Sequence, residues 1–135
     1  MSARTKARKR AVDMLYAADV RGIPVSDIVM AEALRAASEP ERESSWLYAR
    51  DIVDGVVENL TEIDDAISSN SRGWTLERMP AVDRAILRCA AWEILFNPEI
   101  PAGVATSEAV ALASELSTDE SSGFVNGLLS TIANT

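Results

Sequence analysis

Apolar residues recur at spacings of three and four along almost the whole chain, and nowhere do five or six residues alternate as a half-buried strand does. The pattern predicts an all-α fold. A first helix runs from Ala3 to Gly22, where glycine and the following Pro24 supply stop signals, with Ala7, Ala11, Met14, Leu15 and Ala18 as its core stripe. A second follows Ser26 and Asp27, either of which suits a helix N-terminus, and runs to about Ala37 before Glu39-Pro40 breaks it. The third segment takes in Trp46, Leu47, Ile52, Val53, Val56, Val57 and Leu60. Gly55 is tolerated there at up to about 1 kcal/mol. Thr61 and Asp64 have the spacing of a variant capping box, so 45–70 reads as either one helix or two.

After a loop at 70–73, Pro80 opens a helix over 81–96, AVDRAILRCAAWEILF. It is apolar around most of its circumference, through Val82, Ile86, Leu87, Cys89, Ala90, Trp92, Ile94, Leu95 and Phe96. A helix so clothed has neighbours on most sides and belongs at the centre. Pro98 and Pro101 end it and start a helix over 102–116, and a last one runs from Ser121 or Ser122 to about Ala133. The expected architecture is a single compact domain, 1–135, of about six to seven helices, since no repeat or low-complexity linker divides it.

Charge changes this picture at one end. The formal net charge is -8, yet the first ten residues carry Arg4, Lys6, Arg8, Lys9 and Arg10 and no acid. Both lysines lie there, and nothing after Arg88 is basic. An acidic body repels nucleic acid, whereas a local cationic segment binds it. As a helix, the segment spreads its cations over two turns, against the helix dipole. The plain alternative is a solvated, frayed end.

Other chemistry is sparse. A single cysteine, Cys89, and no histidine exclude an internal disulfide and the usual zinc frameworks, and they leave Cys89 as a core residue with no activating base. Glu62, Asp64 and Asp65 lack the pattern of a calcium loop and read as a solvated face. No phosphate-cradling glycine loop is present, so neither catalysis nor a cofactor is expected. No apolar run approaches the roughly 20 residues of a membrane span, and the basic start lacks a secretory apolar core, so a soluble cytoplasmic protein is expected.

Tyr16 continues the Arg8 line of the first helix through Val12, where it suits either stacking on an unpaired base or packing against the next helix. Gly123 and Gly127 stand one turn apart in the last helix, which suggests close approach of another backbone or a ligand, with helix packing as the plain reading. Phe124 and Asn126 between them offer a ring and an amide.

Together these motifs resemble the NusB family of transcription antitermination factors along nearly the whole chain. The resemblance rests on the basic start followed by Ala11-Val12-Asp13-Met14-Leu15-Tyr16, on 82–88 (VDRAILR), on Ile100-Pro101 leading into 108–113 (EAVALA), and on 124–129 (FVNGLL). It implies a non-catalytic, all-helical adaptor that binds single-stranded boxA RNA in nascent ribosomal RNA transcripts with ribosomal protein NusE, within the RNA polymerase antitermination complex. Family members occur as monomers and as homodimers. Carried onto this chain, the RNA surface is Arg4, Lys6 and Arg8, with Lys9 and Arg10 as neighbours, together with Tyr16, Phe124 and Asn126. The basic protein partner is expected on an acidic surface that includes Asp83, Asp119 and Glu120. Thr5 departs from the arginine of many members, Thr106-Ser107 from the common Ile-Asn, and Gly123 from a common lysine. Five neutralised phosphates imply a log-log salt slope of about -3.5. The alternatives are an RNA-binding module that accompanies a ribosomal RNA methyltransferase, and a protein-interaction module without RNA binding.

Overall fold

The computed structural model describes residues 2–135 and holds, among them, seven α-helices and no strand. They are α1 (Ala3–Arg21), α2 (Val25–Ala37), α3 (Glu43–Glu58), α4 (Leu60–Asn70), α5 (Ala81–Phe96), α6 (Ala102–Leu116) and α7 (Asp119–Ala133). α5 packs against α1, α3, α4, α6 and α7, which makes it the axis of the bundle. Ala85, Ile86, Leu87, Cys89, Ala90 and Ala91 are buried along it, while Leu95 faces outward. One cluster of buried apolar side chains draws on all seven helices.

Local chemistry sets the ends of α1. The Ser2 hydroxyl accepts from the Thr5 amide at 3.0 Å, satisfying one orphan donor of the first turn. Gly22 closes the helix at φ +65°, a left-handed conformation that glycine adopts without a Cβ clash, and its amide donates back to Ala18 and Asp19.

Two expectations about element ends are corrected and one open alternative is decided. α2 begins at Val25 behind Pro24, so Ser26 and Asp27 lie inside its first turn and neither caps it. The 45–70 segment is two helices, and the capping box at Thr61 is not formed, because α4 begins at Leu60. The break is at Asn59 (φ -115°, ψ 24°), whose backbone amide and side-chain amide both donate to the Gly55 carbonyl, at 3.1 and 2.8 Å, and so terminate α3. α7 begins at Asp119, two residues ahead of Ser121, because Thr118 Oγ1 accepts from the Ser121 amide at 3.0 Å.

The glycine that matters for packing is Gly55. A Cβ there would stand 2.0 Å from Nε1 of Trp92, so α3 carries glycine where the indole of α5 lies on its backbone. A Cβ at Gly123 or Gly127 would meet nothing within 4 Å, so both face open space.

Candidate nucleic-acid interface

The five cations at the start of α1 divide by direction, because a helix turns about 100° per residue. Arg8 points inward and is only 5% exposed. Its Nε donates to both carboxylate oxygens of Glu93 at 2.9 and 3.2 Å, its Nη2 to Glu93 at 3.1 Å and its Nη1 to Glu108 at 3.1 Å. The Tyr48 hydroxyl donates to the same Glu93 carboxylate at 2.5 Å and accepts from Asn97 Nδ2 at 3.1 Å. Burial works against the Arg8 charge, but the Glu93 and Glu108 carboxylates outweigh it and hold the guanidinium above its usual pKa. Burial and then the bond to Glu93 push Tyr48 up to about 12.

Arg8 is therefore not the phosphate ligand that its place in the basic run suggested. All three of its guanidinium nitrogens donate to acids of α5 and α6, which fastens α1 to the core.

The other four reach the surface in different surroundings. Arg4 lies over the Tyr48 ring, 3.8 Å from its centroid, and is exposed on its outer side. Lys6 is exposed. Lys9 Nζ donates to Glu115 at 2.6 Å, and that bond raises its pKa. Arg10 turns toward α2, away from the α6 acids. Thr5 donates its hydroxyl to Glu108 at 2.7 Å. Tyr16 is 41% exposed, leaving much of its ring open.

Phe124 and Asn126 do not present a ring and an amide to one surface. Two positions on a helix differ by about 200°, and the pair falls on opposite flanks of α7. Phe124 packs edge-on against Trp74, centroids 5.1 Å apart, beside a hollow shared with Asn70 and Arg72. Asn126 lines a cleft against Ala102, Gly103 and Thr106 of α6.

The expected acidic surface also divides. Asp83 is fully buried, and its Oδ2 accepts from Ser121 Oγ at 2.8 Å, tying α5 to the start of α7. It is removed from the partner surface, since no incoming protein reaches it. Asp119 and Glu120 are exposed in the first turn of α7, where the helix dipole favours acids. Of the Glu62–Asp65 cluster, Asp64 is not merely solvated, because it accepts two bonds from Arg88 at 2.9 and 3.0 Å.

Glu93 and Tyr48 do not stand out in the sequence pattern. The signal it does hold is a lone carboxylate in the apolar run 89–96, which calls for a buried cation.

The sequence profile of the NusB family matches residues 5–134. The chain belongs to the NusB family. The transcription antitermination protein NusB of Leifsonia xyli subsp. xyli is 65% identical over 133 residues, which span 98% of this chain and 92% of that protein. NusB from T. maritima superposes with a TM-score of 0.82 at 31% identity, covering 99% of this chain and 92% of its own. A crystal structure of the antitermination factors NusB and NusE in complex with double-stranded RNA contains a chain similar at 28% identity and a TM-score of 0.85, covering 99% and 98%. NusB proteins are transcription antitermination adaptors rather than enzymes. Among the described residues, no helix is long and apolar enough to cross a membrane.

Proposed function

We propose that this chain is a cytoplasmic, single-domain antitermination factor that binds boxA RNA with ribosomal protein NusE and joins the RNA polymerase antitermination complex without catalysis. The observation that carries the reading is an α1 fastened to the core by Arg8 whose start presents exposed Arg4 and Lys6 and half-buried Arg10, none of them in an ion pair among the described residues, on a chain 65% identical to an antitermination protein. Lys9 and the open ring of Tyr16 border that surface. Phe124 and Asn126, on their separate flanks of α7, belong to it only where the RNA reaches around the helix. Asp119 and Glu120 are the acids left to meet a basic partner.

Three free cations in place of five reduce the salt slope expected from this surface to about -2. Fluorescence anisotropy with boxA and scrambled RNA, each single-stranded and duplexed, with and without NusE, tests the reading. The single-stranded boxA RNA is expected to bind best and to gain from NusE. Replacing Arg4, Lys6 and Arg10 by alanine is expected to weaken binding and flatten the slope by about 2. Equal binding of boxA and scrambled RNA under all conditions would refute the proposal.

A further inference from the structure

We propose that the groove between α1 and α2 is a second phosphate-binding surface, which takes up RNA backbone beyond the segment held by the start of α1. This rests on the RNA-binding reading above. The groove encloses about 360 Å³ and collects Arg10 and Arg21 from α1, Arg35 from α2 and Arg42 from the short 3-10 turn at Pro40–Arg42. That is four of the 13 basic residues of a protein with net charge -8, gathered from three separate elements at one place. An acidic surface repels a polyanion, so a strand that leaves the start of α1 is steered along the route where cations persist.

The acids facing the groove are Asp13 and Glu32, and Glu39 stands beside it. Glu32 accepts from Arg35 at 3.0 Å and Glu39 pairs with Arg42, whereas Arg10 and Arg21 have no ion pair among the described residues. Arg10 Nε is buried and makes no hydrogen bond, an unmet donor of the kind that calls for an explanation. All four cations are arginines, whose planar fork accommodates phosphate oxygens in pairs.

Two features favour a strand over a small anion or an acidic peptide. Arg10 and Arg21 stand about 16 Å apart along α1, farther than one phosphate spans. Lys6 lies one turn before half-buried Arg10 on the same helical line, so the groove adjoins the cationic start of the helix.

The test compares boxA RNA trimmed to its core with the same RNA carrying flanking nucleotides on both sides, over a salt series with the full-length chain. The wild-type protein is expected to give a slope of about -2 on the core and about -3 on the extended RNA, from the added unpaired Arg21 at about 0.7, since Arg35 and Arg42 are held by Glu32 and Glu39. The variant R21Q/R35Q/R42Q is expected to return the extended RNA to about -2 and to weaken it about fivefold. It should leave core binding unchanged. Equal wild-type slopes on the two RNAs would overturn the groove whether or not the variant folds, as would a folded variant with the wild-type slope. Failure of the wild type to bind boxA RNA at all would instead remove the function on which the groove rests.

Discussion

Arg8 shows how a residue can lie within a functional run and serve a different purpose. Its burial against Glu93 and Glu108 makes it a fastening, and Arg8→Ala would leave Glu93 buried without its cation. The expected loss is about 3–5 kcal/mol, read as a fall in denaturation midpoint. A folded Arg8→Ala protein, assayed at low temperature, should keep the wild-type salt slope for RNA. Tyr48 in the same cluster gives a pH signature. Its pKa rises in the folded state from 10.0 to about 12, so its contribution is fully present below pH 10 and is lost as the pH climbs toward 12. The loss amounts to about 3 kcal/mol. In a Tyr16→Phe background, ultraviolet absorbance should report tyrosinate forming about two units above the ordinary value, and urea midpoints should fall over the same window.

Some helix ends were legible from glycine or proline, although Pro24 was passed over at the start of α2. Gly22, Pro80 and Pro101 mark boundaries that the structure keeps. The 45–70 segment was ambiguous because its break depends on one asparagine folding back on Gly55, a local bond that apolar periodicity does not report. The purpose of Gly55 was likewise invisible, since it depends on Trp92, far along the chain. Gly55→Ala should destabilise by about 1–3 kcal/mol, despite the better helix propensity of alanine, because the indole must move out of its packed position. Trp92→Leu introduced beside it should recover part of the loss in chemical denaturation, and strict additivity of the two changes would argue against the contact.

Taken as a whole molecule, the fold class, the central α5 and the asymmetry of charge were all readable from the chain. The direction of each cation was not. Five of the seven positions from Arg4 to Arg10 are basic, and helical phase together with Glu93 and Glu108 turns Arg8 in while the others reach the surface. The same limit applies to Asp83, which lies between half-buried Val82 and Arg84 and is bound by Ser121 in the interior. The resulting surface gathers cations at the start of α1 and in the groove between α1 and α2, while Asp119 and Glu120 lie at the start of α7.

The clamp of Arg8, Glu93 and Tyr48, together with the Ser2 cap, means that the end of α1 is already built when RNA arrives. A segment that folded only on contact would surrender conformational entropy at that moment and bury new apolar surface. Here association should proceed without that charge on its free energy. Calorimetry should find a small heat-capacity change on RNA binding, and far-ultraviolet circular dichroism should find no gain in helix, so that affinity reflects contacts made rather than order acquired.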